Sequence, residues 1–288
     1  MWILAKILSN SGFIKYYLNQ NIEKFIIKPG SKVNLKKFDT SYNGKLQKGE
    51  AKSELEIIHQ KMSDMQYKIH AEKKQALLIV LQAMDAGGKD GTIRDVMYGF
   101  NPQGCKVKSF RAPNDVEINH DYLWRVHMVI PARGEIGILN RSHYGDVLVV
   151  RVHNLVPPKQ WSKRYEHINN FEKMLTDEGV RVLKLFLHIS KEEQRKRLYK
   201  RLENPLKHWK VDEADFEERK FWNDYVKAHE QMLEKCSKPW SPWYVIPGDK
   251  KWYRNLLVGQ IITKTLEDMN PKMPKSTINV AKFKGQYQ

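Results

Sequence analysis

A short apolar run that passes directly into glycines limits the possible folds of this chain more than any other feature. The run Ala76–Leu81 contains only apolar residues, and its length suits a strand buried on both faces, as in a parallel sheet. It leads into Ala83–Thr92, here called the glycine-rich loop, which carries Gly87, Gly88 and Lys89. A helical pattern begins at Ile93. Strand, glycine-rich loop, Gly-Lys and helix in this order are the context of a phosphate-binding P-loop.

Strands and helices alternate along most of the remaining sequence. Further strands are predicted at residues 105–110, 135–139, 182–189 and 243–246, and helices at 53–71, 116–128, 158–178 and 212–235. This alternation predicts an α/β fold, a parallel sheet flanked by helices and joined by right-handed crossovers. We expect an N-terminal arm with turns over 1–50, one domain over 51–270 with a lid at about 190–215, and a polar tail over 271–288.

The side chains of the glycine-rich loop indicate phosphate and metal chemistry. Gly87, Gly88 and Gly91 let successive N–H groups point into one concavity, and Thr92 lies in the first turn of the following helix, whose N-terminus adds partial positive charge. Lys89 adds a full positive charge. The strict pattern has Gly at position 83 and Ser or Thr at position 90, where this chain has Ala83 and Asp90, so a plain glycine-rich turn remains an alternative. Because carboxylates beside phosphates repel them unless a cation intervenes, Asp85 and Asp90 are predicted Mg²⁺ ligands.

Polar residues follow the strand predicted at 135–139. Asn140 stands where a P-loop enzyme usually has an acidic metal ligand, and its carbonyl oxygen could coordinate the metal. Arg141 could bind two phosphate oxygens or, equally well from this segment alone, pair with a structural carboxylate. His143 is interpreted as a packed, hydrogen-bonded histidine rather than a base.

A strongly basic helix is predicted after Ser190. The sequence Ser190–Glu193 has the form of a capping box, and Asn204-Pro205 should end the helix. Arg197 and Arg201 are four residues apart and should project side by side from the surface. A basic helix is most often a solvated face, but in a P-loop protein this position favours a lid that supplies arginines. Trp209, close to this helix, could contact a nucleobase.

The net charge of the chain limits the classes of molecule that it is expected to bind. Fifty Lys and Arg against 33 Asp and Glu give a net charge of +17, which indicates a polyanion, an anionic membrane surface or a highly phosphorylated substrate. Two cysteines exclude a disulfide scaffold and a Cys-rich zinc site and favour a reduced, cytoplasmic setting. No apolar run reaches the roughly 18 residues needed to span a membrane, and the N-terminal residues lack the form of a signal peptide.

Several segments in order resemble the polyphosphate kinase 2 family. They are the strand and loop over 77–93, Asn101–Cys105, Arg133–Gly137, Asn140–Tyr144, Lys207–Lys210 and Pro242–Pro247. The resemblance runs from about Val33 to Met269, and the form Asn-Arg-Ser-His-Tyr is similar to the branch that phosphorylates both AMP and ADP. Gly145 departs from that branch, which usually has Glu there.

The resemblance implies a P-loop kinase fold related to thymidylate kinase, with a helical lid and a homo-oligomeric assembly. It also implies reversible, Mg²⁺-dependent phosphoryl transfer between inorganic polyphosphate and adenine nucleotides, with guanine nucleotides left open. By position, the family's functional residues fall on Asp85, Lys89, Asp90, Asn140, Arg141 and Arg201. The further residues predicted to bind phosphate or polyphosphate are Arg111, Arg133, Arg197, Lys207 and Lys210, besides those of the glycine-rich loop.

Three other functions remain open from the sequence. One is an ATP-dependent nucleoside monophosphate kinase, which needs only a local basic cluster. Another is a noncatalytic P-loop protein that binds nucleic acid, although the sequence shows no recognition motif for it and no nucleic-acid partner is expected. The last is a relative that has lost activity, against which Asp85, Lys89 and Arg141 all argue.

Overall fold

A five-stranded parallel sheet forms the centre of the molecule. The computed structural model describes residues 22–278 together with Val280 and Lys284. The strands lie in the order β2-β3-β1-β4-β5, and every pairing between them is parallel. Their bounds are β1 Ala76–Ala83, β2 Cys105–Ser109, β3 Ile136–Asn140, β4 Val180–His188 and β5 Trp243–Pro247. Since all five run the same way, their carboxyl ends meet at one edge, where ligands gather in such sheets.

Helices cover both faces of this sheet. Their bounds are α1 Lys48–Glu72, α2 Lys89–Val96, α3 Asp115–Ile118, α4 Trp124–His127, α5 Gly145–Val152, α6 Pro158–Asp177, α7 Lys191–Leu202, α8 Glu213–Glu218, α9 Trp222–Cys236 and α10 Lys251–Met269. Buried side chains of α1, α2 and α10 form one apolar cluster, and those of α5, α6 and α9 form a second. The predicted α/β class and flanked parallel sheet are confirmed.

The alternation of side chains along β1 connects the two clusters. Leu77, Ile79 and Leu81 belong to the cluster with α1 and α10. Leu78 and Val80 belong to the other cluster. All of β1 except Ala83 is buried, so the strand is buried on both faces, as its continuous apolar run predicts.

Two predicted helices are interrupted. Residues 116–128 form the short helices α3 and α4, because Asn114 caps α3 and the carboxylate of Asp121 accepts a hydrogen bond from the Leu123 amide (2.9 Å), which favours a turn between them. Residues 212–235 divide into α8 and α9, with a 3-10 turn over Arg219–Phe221. None of the α8 residues is buried, whereas α9 buries five. The predicted start of α7 is confirmed, because the Ser190 hydroxyl accepts a hydrogen bond from the Glu193 amide (3.0 Å).

The segment from Ile22 to Leu35 packs into the core, although the sequence was interpreted as an arm there. Ile22 and Phe25 join one apolar cluster and Val33 joins the other. The Ile27 amide donates to the Trp243 carbonyl at 2.8 Å, so the segment covers the outer edge of β5. The missed signal is the pair of apolar residues Phe25 and Ile27 within a basic stretch, of which Phe25 packs into one apolar cluster and Ile27 into the other.

The two ends of the chain and the membrane prediction can be checked only in part. Residues 1–21 of the predicted arm lie outside the described residues, as do Asn279, 281–283 and 285–288 of the predicted tail. Residues 272–278 are exposed, and the domain bounds stay a prediction. Among the described helices, none combines the length and the hydropathy required for a membrane span.

Candidate active site

The glycine-rich loop connects the end of β1 to the start of α2. Gly88 has φ +102° and Ala86 has φ +56°, so the backbone turns through left-handed conformations twice. The Gly87 amide donates to the Met84 carbonyl at 3.0 Å, and a side chain at Gly87 would overlap Ala83 and Met84. The curled backbone and the N-terminus of α2 form the concavity that binds phosphate in P-loops.

Lys89 begins α2 and is partly buried at the wall of the site. Its ammonium donates to the Ala83 carbonyl at 3.3 Å, so the side chain folds back over the loop. Burial lowers its pKa, while the nearby Asp85 carboxylate acts in the opposite direction. The Thr92 hydroxyl donates to the Gly88 carbonyl at 3.1 Å and therefore closes the loop from within.

Two carboxylates of this loop meet two polar side chains at the end of the neighbouring strand β3. The Asn140 amide donates to the Asp90 carboxylate at 2.8 Å, and the Arg141 guanidinium lies 3.5 Å from the Asp85 carboxylate. Arg141 has φ +61°, a left-handed conformation at the end of β3 that is uncommon outside glycine. The structure thus brings together Asp85, Asp90, Asn140 and Arg141, as the sequence predicts for strands that end at one edge.

These side chains fit a magnesium ion. Over the described part of the chain, no three His, Cys, Asp or Glu side chains are grouped as a metal site. Asp85 and Asp90 with the Asn140 amide instead provide two carboxylates and a neutral oxygen. Mg²⁺ is commonly bound by one or two carboxylates, with waters and substrate phosphates completing its octahedron, so this donor set is suitable.

A cavity of about 290 Å³ opens from the loop towards the lid. Asp85, Lys89 and Arg141 line its phosphate end. Its wall also carries the acidic residues Asp212, Asp215 and Glu218, together with Leu148, Val149, Trp222, Tyr225 and His229. Burial raises the pKa of Asp215, and the Asp85 carboxylate acts in the same direction. The sequence interpretation missed this acidic wall, whose signal is the run Asp212–Asp215 directly after the basic lid segment.

The two lid arginines have different environments. Arg201 pairs at 2.6 Å with Asp215, which lines the cavity, and its side chain is partly exposed. Arg197 is buried, with 8 % of its surface exposed, so its predicted surface projection is wrong. It donates to the carbonyls of Ala86 (3.1 Å), Gly87 (3.0 Å) and Gly248 (2.6 Å) and to the Glu193 carboxylate (2.7 Å). Arg197 therefore braces the glycine-rich loop from below, and its donors are directed at protein acceptors rather than at the cavity.

The other predicted phosphate ligands are spread around the molecule. Arg111 directly follows Phe110, whose backbone amide donates to the backbone carbonyl of Asn140 at 3.2 Å. Arg111 therefore lies at the carboxyl edge of the sheet, near the glycine-rich loop. Lys207 and Lys210 lie on the exposed 3-10 helix Pro205–Lys210 of the lid, where the Lys210 ammonium is 4.7 Å from the centre of the Trp209 ring. Arg133 precedes β3, so it lies at the amino ends of the strands, opposite the loop, and faces Glu178 at 3.8 Å. Arg133 is therefore remote from the glycine-rich loop, and its role in binding phosphate or polyphosphate stays a prediction.

His143 and Tyr144 continue from Arg141 into the interior. Here they form the buried cluster, defined as His143, Tyr144, Glu172, Lys184 and Ser241. The Lys184 ammonium lies 2.6 Å from the Glu172 carboxylate, which also accepts from the hydroxyls of Tyr144 (2.7 Å) and Ser241 (3.0 Å). His143 is 1 % exposed and lies 3.2 Å from Glu172, which confirms its interpretation as a packed histidine.

Comparison with known proteins agrees with this geometry. Residues 45–274 match the family model of polyphosphate kinase 2. The chain is 48 % identical over 256 residues to an AMP/ADP-polyphosphate phosphotransferase of Meiothermus ruber, covering 88 % of this chain and 96 % of that protein. It is 42 % identical over 268 residues to an ADP-polyphosphate phosphotransferase of Rhodopseudomonas palustris, covering 88 % and 93 %. The crystal structure of polyphosphate kinase 2 from Arthrobacter aurescens superposes with a TM-score of 0.88 at 37 % identity, covering 91 % of this chain and 94 % of that one. The chain belongs to the polyphosphate kinase 2 family.

Proposed function

We propose that this chain catalyses reversible, Mg²⁺-dependent phosphoryl transfer between inorganic polyphosphate and AMP or ADP. The observation that carries the proposal is the meeting of Lys89 with the pairs Asp85–Arg141 and Asp90–Asn140 at one strand edge. Membership of the family, and relatives named for polyphosphate with AMP or ADP, support the choice of donor and acceptor.

Electrostatics and positioning suffice for this reaction. The attacking phosphate oxygen is already largely anionic at neutral pH, because the second pKa of a phosphate is about 6, so no general base is required. The difficulty is to bring two polyanions into line. Lys89 holds the reacting phosphates in the glycine-rich loop, and Arg141 and Arg201 bind oxygens of the migrating group.

Asp85, Asp90 and Asn140 are the proposed Mg²⁺ ligands. A bound ion would neutralise negative charge on the substrate phosphates. Arg141 is more than half exposed in its contact with Asp85, and such a partly solvated pair is weak. Arg141 can therefore leave the carboxylate to the metal and bind a phosphate instead.

The basic surface suits a long donor. Polyphosphate carries about one charge per phosphate, so it needs positive side chains well beyond the loop. Arg111, Lys207 and Lys210 extend that surface around the active edge, and the net charge of +17 agrees with it. Binding should release counterions, so turnover at low polyphosphate concentration should fall steeply as salt is added.

The direct test is incubation with Mg²⁺, long-chain polyphosphate and AMP, followed over time for ADP and ATP. We expect ADP first and then ATP, with loss of both products when the metal is removed by a chelator. A parallel control reaction contains ATP in place of polyphosphate as the phosphoryl donor. Phosphorylation of AMP from ATP but not from polyphosphate would contradict the proposal in favour of the monophosphate kinase, and tight duplex-DNA binding without transfer would favour the nucleic-acid alternative.

Assembly and acceptor range complete the proposal. We expect a homo-oligomer, which light scattering would measure. We also expect activity with adenine nucleotides, and the same assay with guanine nucleotides tests whether they are acceptors too. Trp222 and Tyr225, together with the exposed Trp209 of the lid, are the aromatic side chains available to a base.

A further inference from the structure

A buried arginine lies against the underside of the glycine-rich loop. Arg254 is in the first turn of α10 and is only 1 % exposed. A methyl group added at Gly88 would overlap its Nη1 atom, and one added at Gly91 would be 3.4 Å from its Nη2 atom. The loop therefore follows the outline of this guanidinium, and glycine at position 88 is required by the contact as well as by φ.

The guanidinium is incompletely paired. Its Nε and Nη2 atoms both donate to the Asn255 side-chain oxygen, at 3.1 and 2.7 Å. Its Nη1 atom is buried and has no hydrogen-bond partner within the part of the chain that the structure describes. No ion pair to Arg254 occurs among the described residues, and Asp95 is reached only through the Asn255 amide, at 3.1 Å.

The charges around Arg254 are mostly positive. Arg197 approaches the same face of Gly88, so that its Nη1 would be 3.3 Å from an added methyl. Burial lowers the pKa of Arg254 to about 10, and the neighbouring Arg197 adds to the lowering, whereas Asp95 opposes it. Arg197 has the Glu193 carboxylate as its partner, but Arg254 has no comparable one.

A buried cation without a counterion costs stability unless an anion approaches it. The concavity above Gly88 is suited to an anion, as its curled backbone and helix N-terminus indicate. We expect an anion bound there to offset part of the cost of leaving Arg254 without a counterion.

We propose that Arg254 is a positioning residue, which sets the shape of the glycine-rich loop and provides the positive potential that the bound phosphate balances. It contacts Gly88 and Gly91 rather than the reacting atoms. It lies outside the P-loop motif and the lid, in a helix that packs against the loop. The proposal depends on the proposed function only for the identity of the anion, which wild-type turnover with polyphosphate tests separately.

The test compares Arg254→Met with Lys264→Met, which removes an exposed charge from the same helix. Binding of inorganic tripolyphosphate with Mg²⁺ is measured by calorimetry, and thermal unfolding is followed with and without that ligand. We expect Arg254→Met to weaken tripolyphosphate binding roughly tenfold or more and to reduce the ligand-induced rise in melting temperature. Without ligand, its melting temperature should equal or exceed that of the wild type, because a buried unpaired charge has been removed.

Kinetics and a second variant separate charge from packing. For Arg254→Met, the KM for polyphosphate should rise more than kcat falls, and Arg254→Lys should recover most of the lost affinity. A folded Arg254→Met that binds tripolyphosphate within twofold of the Lys264→Met control would overturn the proposal. So would a lower melting temperature or failure to fold without ligand, because either result would assign Arg254 a structural role, as would an Arg254→Lys variant that folds but recovers no affinity.

Discussion

The buried cluster and the underside of the glycine-rich loop both place cations in the interior, and they satisfy them differently. In the buried cluster, Lys184 donates to Glu172 (2.6 Å), to the Cys236 carbonyl (2.6 Å) and to the Tyr144 hydroxyl (3.1 Å). Beneath the loop, Arg254 has one neutral acceptor, Asn255. Lys89 has only the Ala83 carbonyl as a described hydrogen-bond acceptor.

The difference separates charges that stabilise the fold from charges that are held for a ligand. Burial alone would raise the pKa of Glu172, but the charges of Lys184 and His143 and their hydrogen bonds lower it to about 2. The Glu172 carboxylate and the Lys184 ammonium therefore neutralise each other within the protein. The loop side retains excess positive charge, which is useful only when phosphate arrives. Each cluster should therefore respond differently to the loss of one charge.

Removing the charge of Lys89 should give the largest effect. We expect Lys89→Ala to lower turnover by about 10³-fold or more, since it deletes a preorganised cation at the transferring phosphate. Its melting temperature should stay near that of the wild type, because the partly buried ammonium bonds to a carbonyl and makes no ion pair within the described residues. Lys264→Ala is the matched control for lost charge. Near-normal rates in Lys89→Ala would break the contrast between the two regions.

Removing the charge of Lys184 should affect stability instead. Lys184→Met leaves Glu172 buried without its cation, and the loss in unfolding free energy should be about 3–5 kcal/mol. Urea denaturation measures this loss, and kcat per folded molecule should change little. The double variant Lys184→Met, Glu172→Gln should recover part of the lost stability. A Lys184→Met variant as stable as the wild type would show that Glu172 does not depend on the charge of Lys184.

The pH dependence of stability sharpens the same point. The folded-state pKa of Glu172 is below its ordinary value of 4.5, so its contribution is fully present above pH 4.5 and disappears as the pH falls towards about 2. Wild-type stability should therefore fall over that window more steeply than the stability of Glu172→Gln. Parallel curves for the two proteins would show that the carboxylate is not stabilised as proposed.

Adding a charge on the loop side should have the smallest effect and should act on substrate choice. A side chain at Gly145 would meet nothing within 4 Å, so Gly145→Glu fits and places a carboxylate at the cavity. Because ADP carries more negative charge than AMP, the ratio of kcat/KM for AMP to that for ADP should rise several-fold. Gly145→Gln, which matches the shape without the charge, should leave the ratio nearly unchanged; an equal rise in both variants would exclude the electrostatic explanation.

Local patterns predicted the strands and the glycine-rich loop because each depends on neighbouring residues. The apolar run of β1 and the cap at Ser190 are of this kind, and both are confirmed. The roles of Arg197 and Arg201 could not be separated in the same way, since two residues four apart on a helix look alike until a neighbouring element buries one of them. Lys184, a charge within an apolar strand pattern, was a readable signal of a buried partner, whereas the distance in sequence hid Glu172.

Arg254 shows the limit of the sequence most clearly. It stands more than 160 positions after Gly88, in a helix that is buried on all sides around it, and no motif connects the two. Only the sheet order, which brings the end of β5 and the start of α10 beside the loop, makes them neighbours. Such contacts depend on topology, and residue spacing alone does not contain them.

The segment before the family match also matters for handling the protein. The match begins at residue 45, yet Phe25 and Leu35 fill the two apolar clusters and Ile27 is bonded along β5. A recombinant protein truncated to the matched region would expose the unpaired edge of β5 and apolar surface of both clusters. An exposed edge strand is a template for intermolecular pairing. The truncated protein should therefore aggregate under conditions in which the full chain stays in solution.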